Sequence, residues 1–264
     1  MPELPEVETI VRHLRPKIRG KRILNIEVRG KRVLRYHKSL ADFRKSLAGK
    51  KILDVRRLGK NIIFQLHDGT SFAAHLMMTG QLLLNPKGEV GHERLRLKLS
   101  GGNFLIFNDV RQFGWCRVVS SSEKLVGPDA FSSSFGTFKL LLRSHRSALK
   151  PLLLNQKIIS GIGNIYADEI LWYAGLRPTR VVNSLNEGEI KKLYNAVHYV
   201  LALAIKKEGT SARDYRKPDG TEGGYYKIRK VYQRAGENCL RDGAIIQKIR
   251  LGSRSAHFCP QHQK

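Results

Sequence analysis

The spacing of the apolar residues changes twice along this chain, and this change restricts the fold more than any other feature of the sequence. Residues 4–18 carry apolar side chains at helical intervals, with Pro5 in the first turn and Gly20 just beyond the end. From about residue 21 to 120 the period is two, and the turn sequences 67–70 and 100–103 separate neighbouring runs. Beyond residue 136 the helical period returns. We therefore predict an α+β protein.

The pattern also predicts where the parts of the chain begin and end. We expect an N-terminal antiparallel β-sandwich with its own first helix over 1–126, and a linker over 127–136 inside a stretch, 120–136, rich in Ser, Gly and Pro. A helical domain should follow over 137–230, and a short β-hairpin over 231–264. Three finer expectations concern a strand face formed by Leu24, Ile26 and Val28, a half-buried strand over 94–99, and a capping box at Ser184 and Glu187 that opens a long helix.

The charge of the chain points to a polyanionic partner. Lys and Arg number 48 against 22 Asp and Glu, which gives a formal net charge of +26. Residues 29–60 alone hold twelve Lys or Arg and two Asp. Nucleic acid is the partner that such a field favours, and an anionic membrane surface is the weaker alternative because no basic amphipathic helix stands apart from a core. No segment resembles a signal peptide or membrane span, and three cysteines indicate a reducing cytoplasm.

The first residues offer a nucleophile. Removal of Met1 from a Met-Pro start would free the secondary amine of Pro2, which can attack an electrophilic carbon and form an iminium. Glu3 and Glu6 lie one helical turn apart, share a face and could move protons beside the reacting atom. Pro and Glu are also common in the first turn of any helix, so these residue types alone do not decide.

The C-terminal segment has the spacing of a metal site. Cys239 and Asp242 form one pair with two residues between them, Cys259 and His262 form the other, and sixteen residues separate the pairs. Two such pairs complete the tetrahedron that Zn²⁺ prefers, and all four residue types can bind it. The alternative is a hairpin that has no metal and is held by packing alone.

Two longer strings carry a resemblance to a known family. The start, residues 1–8 (MPELPEVE), and the segment 155–169, with its Gly-x-Gly-Asn turn between two helical stretches, resemble the formamidopyrimidine-DNA glycosylases in matching order along the chain. The resemblance implies a helix–two-turn–helix in the helical domain and a zinc-ribbon-like hairpin. It also implies a monomeric base-excision repair enzyme of the bacterial cytoplasm and nucleoid that removes oxidised purines from damaged double-stranded DNA and then cleaves the strand. One structural Zn²⁺ and no organic cofactor are expected.

The same resemblance assigns site residues. Pro2 would be the nucleophile, Glu3 the general acid, and Lys60 would grip a phosphate beside the lesion. Met78, Arg111 and Phe113 would fill the gap left by the flipped nucleotide. Further DNA contacts are expected from Glu6, His75, Asn164 and Arg254. The loop 210–225 would close over the flipped base, with DNA in a basic cleft between the domains. The family normally uses four cysteines for zinc, so Asp242 and His262 depart from its pattern.

Two other functions remain open at this point. An endonuclease VIII-like relative would act on oxidised pyrimidines, although Leu4 and the Met78, Arg111 and Phe113 set favour the purine enzyme. A non-catalytic DNA-binding relative would have kept the fold and lost the chemistry, although Pro2, Glu3 and Lys60 are all present.

Overall fold

The computed structural model describes residues 1–37, 39–120, 126–212 and 214–264. The chain divides into two compact units, one made of residues 1–125 with 207–226 and the other of residues 126–206 with 227–264. The expected mixed α and β architecture is confirmed. None of the helices in the described ranges is long and apolar enough to cross a bilayer.

The N-terminal unit combines helices with two antiparallel sheets. Its elements are α1 (Leu4–Ile18), β1 (Ile23–Val28), a 3₁₀ helix (Lys31–Leu34), α2 (Leu40–Leu47), β2 (Ile52–Leu58), β3 (Asn61–Leu66), β4 (Ser71–His75), β5 (Gln81–Leu84), β6 (Glu93–Leu99), β7 (Asn103–Asn108) and β8 (Trp115–Val119). One sheet has the strand order β1-β6-β7-β5 and the other β2-β3-β4-β8. A 3₁₀ helix, Tyr225–Ile228, begins at the end of segment 207–226.

One apolar core joins α1 to both sheets. The predicted helix face is confirmed, because Leu4, Val7, Ile10, Leu14 and Ile18 are all fully buried. Except for Leu4, these side chains pack in the same cluster as residues of β3, β4, β6 and β7. Burial of this stripe stabilises α1 more than its intrinsic propensity does, and it fixes the start of the chain against the sheets.

The expected face of β1 is confirmed at Ile26 and Val28 and is wrong at Leu24. Leu24 is 52% exposed, whereas Ile23 and Ile26 are buried. The register against β6 shifts between Ile23 and Asn25, and such a β-bulge turns the following side chains to the other face. By contrast, the half-buried strand predicted over 94–99 is confirmed, since Leu95, Leu97 and Leu99 of β6 all point into the core.

The second unit is mainly helical and ends in a hairpin. It contains α3 (Phe135–Arg143), α4 (Leu149–Leu154), α5 (Asn164–Ala174), a 3₁₀ helix (Val182–Ser184), α6 (Glu187–Lys206), β9 (Gln247–Leu251) and β10 (Arg254–Phe258). The long helix was predicted, but its capping box is not Ser184 and Glu187. Asn186 and Glu189 exchange the two capping hydrogen bonds, each at 2.9 Å, because Ser184 is already part of the 3₁₀ helix.

The four expected parts of the chain stay a prediction, because the two units do not separate the linker or the hairpin from the helical domain. Segment 207–226, assigned from the sequence to the helical domain, belongs to the compact unit that holds the sheets. Part of the expected linker stretch, residues 121–125, lies outside the described residues, as does residue 213 of the loop.

Because of the bulge in β1, Leu24 is exposed, whereas Leu97 of the neighbouring strand β6 is buried. We expect Leu97→Ala to lower the free energy of unfolding of the N-terminal unit by about 2–5 kcal/mol, because it leaves a cavity in the core. Leu24→Ala should change it by less than about 0.5 kcal/mol. A Trp172→Phe background leaves Trp115 as the reporter of this unit in denaturant titrations. Equal losses in the two variants would contradict the register shift.

Candidate functional site

The start of the chain is held in one geometry by a reciprocal pair of hydrogen bonds. Glu3 caps α1, its carboxylate accepts from the backbone N–H of Glu6, and the Glu3 N–H donates to Glu6 Oε2 at 2.8 Å. Pro2, Glu3 and Glu6 are all buried. The predicted pairing of the two glutamates on one helical turn is therefore confirmed. The backbone next to Pro2 is fixed by Glu6, so the nitrogen of Pro2 has a defined position.

Glu6 also holds the segment that returns from the second unit. Its other oxygen, Oε1, accepts the N–H of Thr210 at 2.7 Å. Gly209 has φ +86°, and a Cβ on it would lie 2.9 Å from Glu6 Cγ and Oε1, so glycine is required there. The hydroxyl of Tyr215 donates to the Glu208 carbonyl at 3.2 Å. Burial, reinforced by the charge of Glu6, raises the pKa of Tyr215, which stays a neutral donor.

Further contacts dock this segment, the expected base-capping loop, on the N-terminal unit. Lys217 Nζ pairs with Glu208 Oε2 at 2.6 Å, and His13 Nε2 lies 3.0 Å from Glu208 Oε1. The N–H of Leu84 in β5 donates to the Pro218 carbonyl at 2.9 Å. The segment is thus tied to α1 at its base and to β5 near its tip.

Lys60 and His75 lie near each other where β2, β3 and β4 meet, because His75 at the end of β4 pairs with Asn61, the residue after Lys60. Lys60 lies in the turn from β2 to β3, where Gly59 has φ +59°, and it is only 5% exposed. Burial and, to a lesser extent, the charge of Lys60 together lower the pKa of His75 to about 4. The N–H of Met77 donates to His75 Nδ1 at 3.0 Å. The neutral imidazole therefore carries its proton on Nε2 and can donate it to an anion.

Met78, Arg111 and Phe113 lie on two neighbouring turns of the N-terminal unit. Phe113 is 41% exposed, and the Arg111 guanidinium lies 4.7 Å from the centre of its ring. Met78 is partly buried. An exposed phenyl ring under a guanidinium is an apolar surface with a charged donor attached, which suits insertion into a base stack.

Sequence reasoning missed the residue that holds these two turns together. Asp109 is fully buried. Its Oδ1 accepts the Thr79 hydroxyl, and its Oδ2 accepts the Gly114 N–H at 2.8 Å. Thr79 Oγ1 in turn accepts the N–H of Arg111 at 3.2 Å. The only sequence signal was that Asp109 precedes Arg111 by two residues.

In the second unit Asn164 begins α5 after a shaped glycine turn. Gly161 has φ +105°, and its N–H donates to Gln156 Oε1 at 2.9 Å. Gln156 Nε2 donates to the Ile162 carbonyl at 2.8 Å. Within the described part of the chain the buried Oδ1 of Asn164 has no hydrogen-bond partner. The donors that suit a phosphate here are the Nδ2–H₂ group of Asn164 and the backbone N–H groups at the start of α5, not this oxygen.

Arg254 begins β10 and is exposed. It pairs across the hairpin with Leu251, and Gly252, with φ +58°, supplies the tight turn between the two strands. The turn places the guanidinium at the tip of the hairpin, where it can reach a ligand.

Three of the four predicted metal ligands converge. One ligand atom each of Cys239, Asp242 and Cys259 lies within 4.8 Å of the others, and both thiols are buried. These residues could hold a metal ion. The fourth predicted ligand, His262, is not in this group of converging atoms. Its Nε2 lies 2.8 Å from the Trp172 carbonyl and 2.8 Å from Arg241 Nη1.

Known proteins match the chain throughout. Residues 1–116 match the profile of the Formamidopyrimidine-DNA glycosylase N-terminal domain, and residues 126–216 match that of the Formamidopyrimidine-DNA glycosylase H2TH domain. The chain belongs to the formamidopyrimidine-DNA glycosylase family. A Formamidopyrimidine-DNA glycosylase of Carboxydothermus hydrogenoformans is 41% identical over 267 residues, and one of Solibacter usitatus 42% over 269, with all of each chain covered.

Solved structures of this glycosylase family agree. A Lactococcus lactis FPG mutant in complex with a Fapy-dG containing DNA is 36% identical and has a TM-score of 0.90. MutM in complex with a carbocyclic 8-oxo-G containing DNA is 36% identical with a TM-score of 0.89. Both comparisons cover 100% of each chain.

The environment of His75 generates a pH prediction. Its imidazole resonances should titrate near pH 4, and Lys60→Met should move the midpoint upward because one of the two causes of the low pKa is removed. Lys51→Met, which removes an exposed lysine of the same unit, should leave it unchanged. A midpoint near 6.5 in the unmodified protein would contradict the described environment.

The low pKa of His75 also makes the stability of the protein depend on pH. The unfolded chain takes up the proton near pH 6.5, whereas folded His75 does so near pH 4. The protein should therefore lose stability relative to His75→Gln as the pH falls from about 6.5 to 4, and the two should differ by a constant amount above that range.

Proposed function

We propose that this protein removes oxidised purines, such as 8-oxoguanine and formamidopyrimidines, from duplex DNA and then cleaves the strand, with Pro2 as nucleophile. The observation that carries the proposal is the fixed and buried start of the chain, Pro2-Glu3 with Glu6, in a member of a family whose solved structures hold Fapy-dG and 8-oxo-G DNA. The net charge of +26 favours a polyanionic substrate such as DNA.

The chemistry begins once Met1 is removed and Pro2 has a free secondary amine. Its nitrogen bonds to C1′ of the lesion nucleotide while the glycosidic bond breaks, and the departing base takes a proton. Glu3 gives a proton to O4′ as the sugar ring opens, and loss of the N–H proton leaves an iminium. Removal of a C2′ proton then expels the 3′ phosphate, a second elimination expels the 5′ phosphate, and water releases Pro2.

The remaining residues bind and reshape the DNA. In the N-terminal unit Lys60 supplies a positive charge and neutral His75 an N–H donor for a phosphate. Met78 and Phe113 occupy the space of the extruded nucleotide, and Arg111 bonds the orphaned base. In the second unit Asn164 and Arg254 bind backbone phosphates. The segment 210–225 covers the extruded base from its anchor on Glu6. The working form is a monomer.

We also propose that the cysteine cluster holds one structural Zn²⁺. Cys239, Asp242 and Cys259 supply three ligands, and His262 supplies the fourth through Nδ1. In the metal-bound form Nε2–H of His262 donates to the Trp172 carbonyl, Arg241 gives up its contact with Nε2, and Nδ1 keeps its lone pair for the metal. A histidine that donates its other N–H to a carbonyl is the usual arrangement around zinc. The ion would brace the hairpin that carries Arg254.

Borohydride trapping tests the nucleophile. With a duplex that holds 8-oxoguanine, reduction should give a covalent protein–DNA adduct through Pro2. A chain with an uncleavable N-terminal extension has an amide at Pro2 and should give none, because an amide nitrogen is not nucleophilic. The same extension at the C-terminus is the matched control. Adduct formation by the N-terminally blocked chain would overturn Pro2, and adduct only on a thymine glycol duplex would overturn the purine preference.

Metal analysis tests the zinc site. The purified protein should contain one zinc per chain, and Co²⁺ exchanged into it should show the thiolate-to-metal absorption of a tetrahedral site. Asp242→Ala and His262→Ala should each weaken zinc retention by more than the roughly 10–100-fold that is typical when an outer-shell partner of a ligand is lost, while exposed His92→Ala should not. No metal in the unmodified protein, or full retention in both ligand variants, would refute this ligand set.

A further inference from the structure

Three ionisable side chains that the proposed chemistry does not use meet inside the second unit. Lys150 comes from α4, Asp168 from α5 and His257 from β10, and they are 0%, 0% and 5% exposed. Lys150 Nζ lies 2.6 Å from Asp168 Oδ1. The other carboxylate oxygen accepts the His257 N–H at 3.0 Å and lies 2.9 Å from His257 Nδ1. We call this set the Lys150–Asp168–His257 network.

Such a network is a poor way to gain stability. Desolvation of a buried ion pair costs about as much as the attraction returns, and apolar side chains of similar volume often do as well. What an ionic network does supply is geometry, because each hydrogen bond fixes a distance and a direction. The network therefore orients the part of the unit to which it is bonded.

The network ends at the residue next to Arg254. Lys150 Nζ also donates to the carbonyl of Ser255 at 2.5 Å. The His257 N–H is held two residues further along the same strand. Two backbone groups of β10 are thus fixed to Asp168, directly or through Lys150, immediately beyond the hairpin tip.

Packing beneath the tip is incomplete. Leu251, Gly252, Ser253 and Arg254 border an open pocket of about 300 Å³ whose opposite wall is α4, at Lys150, Pro151 and Leu154. Apolar contacts do not fill that gap, so the tip is held from further along β10, by the buried side chains of Ala256 and Phe258 and by the polar bonds to Ser255 and His257.

The same carboxylate lies one helical turn beyond Asn164, the first residue of α5. The positions of Asn164 and Arg254, the two residues assigned to phosphate binding in this unit, therefore both depend on one buried carboxylate. A shift of β10 relative to α5 would change the spacing between Asn164 and Arg254, and phosphates on a duplex have fixed spacing.

We propose that the Lys150–Asp168–His257 network is a positioning device that holds Arg254 at the distance from Asn164 at which both bind the DNA backbone. This inference rests on the proposed function, because it assumes that Arg254 binds a phosphate. Lys150, Asp168 and His257 are positioning residues and do not touch DNA.

The test measures affinity for a duplex with an uncleavable tetrahydrofuran abasic analogue at several salt concentrations. Arg254→Ala should weaken binding about tenfold and reduce the slope of log K against log salt by about 1. Lys150→Met should have nearly the same two effects, and the double variant should be no weaker than Arg254→Ala alone. Lys139→Met is the control, because it removes a lysine of the same unit whose ion pair with Glu187 is exposed.

A second variant covers the possibility that an unpaired buried Asp168 prevents folding. Lys150→Met with Asp168→Asn removes both charges together, so the core stays neutral while the bond to Ser255 is lost. It should fold and show the same reduced salt slope, whereas a network that only stabilises the unit would lower the melting temperature and leave the slope unchanged.

The outcomes separate the two claims. If Arg254→Ala binds like the unmodified protein, the phosphate role of Arg254 in the proposed function fails. If Arg254→Ala weakens binding but the Lys150 variants keep the full slope, or if their losses add to that of Arg254→Ala, the positioning role fails and the proposed function stands.

Discussion

One buried carboxylate, that of Glu6, determines how the N-terminal unit presents its first residues. Its two oxygens accept the N–H of Glu3 and the N–H of Thr210. A carboxylate without solvent needs such donors, and backbone N–H groups supply them with fixed direction. As a result the start of the chain and the base of segment 207–226 are held to the same side chain. A shift in the start of the chain would therefore also shift the base of segment 207–226, and the reverse. Such coupling suits the proposed nucleophile and covering loop, which must act on the same nucleotide.

In the second unit, buried carboxylates of α5 likewise accept backbone N–H groups from other segments. Asp168 holds β10, and its neighbour Glu169, also fully buried, accepts N–H groups of Lys230, Val231 and Tyr232 at 2.8–3.0 Å. These residues lead into the hairpin. Two adjacent carboxylates on one helix thus fix both the approach to the hairpin and its return strand. Regular hydrogen bonding cannot do this, because the hairpin shares no ladder with α5. Arg254 at the tip of the hairpin stays exposed, while the two carboxylates that place the hairpin are buried.

The sequence predicted those features of the fold that depend only on residues close together in the chain. The face of α1 and the alternation in β6 follow from one periodicity each, and both are confirmed. The exposure of Leu24 in β1 could not be predicted, because a bulge depends on the partner strand and leaves no trace in the strand itself. The capping box of α6 was placed two residues early because Ser184 and Asn186 are both good caps, and only the 3₁₀ turn decides between them. The buried networks were missed altogether. Asp168 and His257 are 89 residues apart, and Thr79 and Asp109 are 30 apart, so nothing in either local sequence reveals the pairing.

The departure from four cysteines changes how the hairpin should be viewed. A ribbon that depended on its metal alone would be weakened by a carboxylate and an imidazole in place of two thiolates, since thiolates are the ligands that closed zinc sites favour. Here the C-terminal segment has other attachments. Arg177 donates to the carbonyls of Gln263 and Pro260 at 3.0 and 2.9 Å, and fully buried Gln263 bonds the Leu176 carbonyl and the Cys259 N–H at 2.8 Å each. With Asp168 and Glu169 these bonds tie the hairpin to α5 and to the residues just after it without using any of the proposed metal-binding atoms. A weaker ligand set would be tolerable here, because a metal ion would be one brace among several.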